Sequence, residues 1–161
     1  MVLSLLITLI MISLIKRKPI VIALSDQGEI MKQGPLPSLE NDARNFAQAY
    51  LRARYSWEAA RQADMFTQAK HYIAPQSQKA FEKTMHDLLV FSQGKGVSQR
   101  VYPLTLKVDL DAGRIDITAD RFTEIQGLRA ATTLRVGLLF EVGSRTAENP
   151  WGIYVVKEEE K

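Results

Sequence analysis

The chain has 161 residues, 46% apolar and 24% charged, which suits one folded domain with an appendage and excludes both a second full domain and overall disorder. It contains no cysteine, which excludes disulfides, thiolate metal sites and cysteine nucleophiles. The net charge of +3 lies in Lys16, Arg17 and Lys18, since the other 18 basic residues balance 18 acidic ones, and this argues against a basic nucleic-acid groove.

Residues 1–15 form an uncharged apolar run, MVLSLLITLIMISLI, which predicts a membrane helix. At about 1.5 Å per residue this helix is about 22 Å long, shorter than the roughly 30 Å hydrocarbon core. The basic cluster follows the run instead of preceding it, which favours an uncleaved anchor over a signal peptide. We therefore assign residues 1–18 to a membrane anchor whose basic flank contacts lipid headgroups.

The same basic cluster complicates the topology of the anchor. Taken alone, the positive-inside rule would keep the following domain in the cytoplasm. A start codon placed too far downstream would account for both the short helix and the missing competing charge. After the anchor, residues 19–24 form a short apolar run, PIVIAL. Residues 25–38 then contain two glycines and two prolines, and residues 19–38 are therefore predicted to form a tether.

Three helices are predicted after the tether from apolar residues at helical spacing. The first begins at Leu39. The second is predicted to begin at Ser56 and to end at Ala74, because the residue before a proline avoids the helical conformation. The third begins at Pro75 and ends at the glycine-containing stretch that starts at Gly94.

The apolar period then changes to two, which predicts β-strands. Alternating residues on either side of an Asp111-Ala112-Gly113 turn predict a hairpin, with Leu104, Leu106, Val108 and Leu110 on one face. A long strand follows Gly127, and a last one covers residues 153–157. Helices followed by strands predict an α+β domain over residues 39–157, with helices packed on a curved antiparallel sheet of about four strands. Residues 158–161 are predicted to form an acidic tail.

A short motif, Asn149, Pro150, Trp151 and Gly152, precedes the last strand. Turn chemistry alone accounts for these residues, since asparagine, proline and glycine hold favoured positions of a type I turn. In this layout, however, the motif matches the N-P-x-G of the TraE branch of conjugation and type IV secretion proteins, a group that includes the eighth VirB component. The chain resembles that family along nearly its whole length, from anchor to sheet.

The resemblance implies a non-catalytic assembly subunit of a type IV secretion system for conjugative plasmid transfer. It implies a single-pass inner-membrane protein whose C-terminal domain, cystatin-like or nuclear-transport-factor-two-like, lies in the periplasm. The expected partners are the chain itself, as a homodimer or higher oligomer, and other channel components. Direct nucleic-acid binding, cofactors, metals and catalytic residues are not expected. Predicted contact residues are the turn motif and an exposed face of the first helix with Arg44, Arg52 and Tyr55.

Two alternatives remain open at this stage. An isomerase- or hydratase-like enzyme of the same cone-shaped fold would need acid and base groups in the concavity of the sheet, yet one face of each predicted strand is almost entirely apolar. His71 and His86 lie on separate predicted helices and form no metal pair. A single-stranded nucleic-acid-binding module would use interleaved basic and aromatic residues: Arg44, Tyr50, Arg52, Arg54, Tyr55, Trp57 and Arg61. Acidic residues on the same helices favour a solvated or protein-binding face.

Overall fold

A computed structural model describes residues 20–24, 30–35 and 38–160. The predicted membrane anchor, residues 1–18, lies outside the described residues. Along the described part of the chain, no helix has both the length and the hydropathy needed to cross a membrane. The chain divides into two compact units, Met1–Ser38 and Leu39–Lys161.

The first unit contains two short strands, β1 (Ile20–Leu24) and β2 (Ile30–Pro35). They pair antiparallel, with Val21 opposite Gly34. The sequence analysis assigned this stretch to a tether. Glycine and proline punctuate both linkers and short strand pairs, so their presence does not distinguish the two.

The second unit begins with three helices, α1 (Leu39–Tyr55), α2 (Gln62–Lys70) and α3 (Gln78–Lys95). Single 3-10 turns, Ala59–Arg61 and Pro75–Ser77, precede α2 and α3. The predicted start of α2 at Ser56 is wrong. The backbone of Trp57 exchanges two hydrogen bonds of 2.8 Å with Gln99, which holds this segment extended against a strand. The Ser56 hydroxyl accepts a hydrogen bond from the Val101 amide instead of capping a helix.

Four antiparallel strands follow, β3 (Val97–Asp109), β4 (Arg114–Ile125), β5 (Leu128–Val142) and β6 (Ile153–Glu160). They form one sheet in the order β3-β4-β5-β6. The predicted α+β architecture, with helices on a four-stranded antiparallel sheet, is therefore confirmed. The last strand is longer than predicted: residues 158–160 continue β6, with Glu158 opposite Leu138, where an acidic tail was expected.

Two register shifts decide which strand residues face the helices. In β3 a shift between Pro103 and Thr105 leaves Leu104 without a partner, and its side chain is 60% exposed. The prediction that Leu104 shares the inner face with Leu106 is therefore wrong. One extra residue reverses the alternation, and it does so beside a proline that has no N–H to give to a ladder.

The core lies between α1 and the inner face of the sheet. Phe46 and Tyr50 of α1 are fully buried there, because the apolar residues of this helix recur on one stripe. The sheet contributes buried residues from three strands: Ile115, Ile117, Ala119, Leu134, Val136, Leu138, Ile153 and Val155. A smaller cluster joins Trp57, Phe66, Met85 and Val97 under α2 and α3. The first cluster holds α1 against the inner face of the sheet and, through Phe46, against Trp151 of the turn motif.

Candidate functional site

The turn motif closes the connection between β5 and β6. The Gly152 amide donates to the Asn149 carbonyl at 3.2 Å, and the Gly143 amide donates to the Gly152 carbonyl at 2.8 Å. The Asn149 amide in turn donates to the Thr146 hydroxyl at 3.0 Å. These bonds define a compact turn that starts the last strand in register.

The Asn149 side chain is fully buried and fastens this turn to the helical layer. Its Nδ2 donates to the Ile153 carbonyl at 2.8 Å and to the His71 carbonyl at 3.5 Å. His71 directly follows α2, so one amide group joins the start of β6 to the end of a helix. A buried amide held in this way orders the backbone around it.

Gly152 fills a position that a larger residue cannot occupy without strain. Its φ of +64° lies in the left-handed region, and an added Cβ would approach the Gly143 carbonyl oxygen to 2.7 Å. The glycine of the motif is therefore required by both backbone conformation and space.

Trp151 packs back on the core. Its ring centroid lies 6.3 Å from that of Phe46 and 6.1 Å from that of Tyr72, and its side chain is half-buried. Pro150 beside it is exposed. The motif thus places one exposed proline and the outer edge of a half-buried tryptophan on the surface, while Asn149 and Gly152 serve the turn itself.

A second polar group, which the sequence did not predict, lies under α1. The Tyr50 hydroxyl donates to Glu158 Oε2, and the Arg54 guanidinium donates to Glu158 Oε1 at 3.2 Å. The Arg54 guanidinium also lies 4.6 Å from the centre of the Tyr55 ring. We call Tyr50, Arg54, Tyr55 and Glu158 the α1–β6 cluster.

The surroundings of Tyr50 and Arg54 favour a neutral phenol and a charged guanidinium. Burial raises the pKa of Tyr50 well above its ordinary value, and the nearby Glu158 carboxylate adds to the effect. Burial is the largest single influence and would lower the pKa of Arg54, but the combined interactions with Glu158, Tyr55, Tyr50 and Glu160 outweigh it and raise the pKa. Tyr50 therefore remains a hydrogen-bond donor and Arg54 remains charged, with both carboxylate oxygens of Glu158 engaged.

The cluster depends on the second register shift. Between Leu139 and Phe140 the pairing of β5 with β6 skips Val156, so that Val155 and Glu158 both face inward. Strict alternation from Val155 would have placed Lys157 inward instead. No feature of the sequence marks the register shift at Val156, and the sequence therefore predicted Glu158 to lie in a solvated tail.

The predicted contact face of the first helix is only partly formed. Arg52 is exposed, as predicted. Arg44 binds Glu40 at 2.7 Å and donates to the Leu106 carbonyl at 3.2 Å, so its head group lies against β3. Tyr55 is only 2% exposed, and its assignment to an exposed face is wrong. It lies four residues after buried Leu51, on the apolar stripe of the helix.

The proposed nucleic-acid surface is not formed either. Its aromatic residues Tyr50, Tyr55 and Trp57 are all buried, at 5% exposure or less, and cannot stack on bases. The part of the chain that the structure describes also contains no group of three histidine or acidic residues placed to hold a metal ion. His71 and His86 are both exposed.

Comparison with known proteins identifies structural relatives. No family model matches the sequence, and no curated protein sequence matches it significantly. Among solved structures, VirB8 from Agrobacterium tumefaciens superposes with a TM-score of 0.64 at 16% identity, covering 80% of this chain and 96% of VirB8. TraE, solved in complex with 2-(2-furyl)isonicotinic acid, superposes with a TM-score of 0.62 at 13% identity, and the match covers 74% of this chain and 93% of TraE. CagV from Helicobacter pylori, a VirB8 homolog of a type IV secretion system, superposes with a TM-score of 0.59 at 10% identity, and the match covers 74% of this chain and 95% of CagV. The domain has the VirB8/TraE-like fold, as its sequence predicted.

Proposed function

We propose that this chain is a non-catalytic assembly subunit of a type IV secretion system. Residues 1–18 anchor it in the inner membrane, and the domain from residue 39 onward lies in the periplasm. It acts by associating with itself and with other channel components, in a system for conjugative transfer. The observation that carries this proposal is the shared fold: the structural match covers 93 to 96% of the compared VirB8, TraE and CagV chains.

The side chains of the inner sheet face support a role in contact over a role in catalysis. A general base needs a free lone pair within reach of substrate. Both oxygens of Glu158, the carboxylate under α1, accept hydrogen bonds from Tyr50 and Arg54. Asp109 and Asp116 are exposed on the outer face of the sheet. These three carboxylates are thus either hydrogen-bonded or on the outer face of the sheet.

The turn motif contributes to assembly mainly through its rigidity. Asn149 and Gly152 fix the start of β6, and the contact with Phe46 holds Trp151 in one orientation. A partner therefore meets a preformed surface of Pro150 and the ring edge of Trp151, which reduces the ordering cost of association. Arg52 on α1 is the second proposed contact residue.

Conjugation provides the test. In a donor strain that lacks only this chain, transfer falls to background, and the full chain restores it. A tagged full chain purified from donor membranes carries channel proteins and untagged copies of itself. Arg52→Glu reduces this copurification, whereas the matched control Lys107→Glu, on an exposed lysine of β3, does not. Unchanged transfer in the deletion strain would refute the proposal.

A further inference from the structure

The edges of the four-stranded sheet differ in their protection. On the outer side of β3, Gln99 pairs with Trp57, and the Val101 amide donates to the Ser56 hydroxyl. The Leu106 carbonyl accepts a bond from Arg44, and the unpaired Leu104 interrupts the strand between these points. Bulges and covering segments of this kind prevent pairing with another chain.

The outer side of β6 is covered as well. The Val155 amide donates to the Tyr72 carbonyl at 2.8 Å, and the Ala74 amide donates to the Val155 carbonyl at 2.9 Å. The Ser77 hydroxyl donates to the Val156 carbonyl at 2.7 Å. The segment between α2 and α3 thus occupies this edge.

The first half of β5 lacks such protection. Among the residues that the structure describes, β6 pairs with β5 only from Val136 to Val142, so residues 128–135 have β4 on one side and no described strand of this sheet on the other. Each residue from 128 to 133 is exposed. The stretch contains no proline, its pairing with β4 has no register shift, and its centre, Ala130 to Thr133, has only small side chains. It is a regular, exposed edge of the type that accepts another strand.

The hydrogen bonds at the far end of β5 show which backbone groups face the open side. The Phe140 amide donates to Gly113, at the β4 side, and the Gly143 amide donates to Gly152, at the β6 side. Backbone groups of successive strand residues alternate between the two sides. The N–H and C=O groups of Arg129, Ala131 and Thr133 therefore face the open edge.

We infer that residues 128–135 of β5 pair antiparallel with the same segment of a second copy, about a two-fold axis at Ala131. The inference rests on the self-association proposed above and assigns a surface to it. In this register Ala131 lies opposite Ala131, and Arg129 lies opposite Thr133. These are the residues whose backbone groups face outward, so each facing pair forms two backbone hydrogen bonds.

Side chains favour this register and this partner. Ala130 lies opposite Thr132, and at both ends of the symmetric pair Leu128, which is 79% exposed, lies opposite Leu134, which its own chain already buries. A shift of the axis to Thr132 would place Arg129 opposite Arg135 twice, and directly opposed like charges are destabilising. Arg129 already binds Glu124 at 2.8 Å, so the edge does not require an acidic partner.

Single cysteines in the full chain test the register, because the chain has no cysteine of its own. A hydrogen-bonded antiparallel pair has a Cα separation of about 5.5 Å, within the range of a disulfide. Ala131→Cys should therefore form a covalent dimer under mild oxidation. Thr133→Cys is the matched control, since the two copies of that residue lie four positions apart, about 13 Å along the strands. A mixture of Arg129→Cys and Thr133→Cys chains should give the mixed dimer.

Sedimentation of the unoxidised full chain in detergent measures its oligomeric state. This measurement tests self-association independently of whether residues 128–135 form the contact. Ala131→Pro removes an outward N–H and should weaken the dimer at least tenfold, while Ala131→Ser keeps the N–H and should not. A dimer that does not cross-link at residue 131, or cross-links equally at residue 133, would overturn this surface and leave self-association standing. A chain that is monomeric throughout would overturn both.

Discussion

Replacing Gly152 of the turn motif with alanine should destabilise the domain in two ways, through its left-handed backbone and through a steric clash of the new Cβ. A left-handed backbone costs a residue with a Cβ about 1–2 kcal/mol. At Gly152 the new Cβ would also lie 2.7 Å from the Gly143 carbonyl oxygen, and overpacking of this kind adds about 1–3 kcal/mol. We therefore expect Gly152→Ala to lower the free energy of unfolding by about 2–5 kcal/mol.

Gly127 provides a matched control, because its φ of +83° is also left-handed but nothing lies within 4 Å of an added Cβ. Gly127→Ala should therefore cost only the backbone contribution. With about 4 °C per kcal/mol for a domain of this size, the two variants should melt about 4–12 °C apart in a thermal scan followed by circular dichroism. Equal midpoints would refute the close approach at Gly143. A Gly152→Ala variant with unchanged stability but lost assembly would instead assign the motif to a partner.

The remaining predictions concern the α1–β6 cluster. Glu158→Gln leaves the charge of Arg54 without its partner; breaking a buried pair costs about 3–5 kcal/mol, and we expect about 1–3 kcal/mol here because Glu158 retains 21% exposure. Urea unfolding measures this loss, with exposed Glu148→Gln as the control that should change by less than about 0.5 kcal/mol. The Tyr50 pKa is raised in the folded chain, so its contribution to stability is present below the unfolded value of about 10 and is lost as the pH rises above it. The urea midpoint should therefore fall above about pH 10, and it should fall less in Tyr50→Phe; an equal fall in both proteins would contradict the role of this phenol.

The architecture was predictable because the apolar period changes from helical spacing to two. Helices α1 and α3 began close to where the pattern placed them, and the turn motif lies between β5 and β6 as expected. The start of α2 was not predictable from local signals. Trp57 and Ser56 bind strand β3, more than forty residues later in the chain, and these bonds override the helical pattern.

The site was less predictable, because it depends on single extra residues in two strands. A period of two cannot show the extra residue at Leu104 or the one at Val156, and each reverses the side chains that follow it. The second reversal brings Glu158 under α1. The burial of Tyr55, in contrast, is predictable from the sequence. Tyr55 lies four residues after Leu51, on the same face of the helix, and both side chains are buried.

The location of the domain is the central claim, and a reporter that is active only in the periplasm tests it most directly. The reporter is fused after Lys161 of the full chain in a Gram-negative host, and the same cells are fractionated. We predict activity in the membrane fraction, as an exported and anchored assembly subunit requires. An inactive reporter on a stable, full-length fusion would place the domain in the cytoplasm and contradict its role in a periplasmic channel.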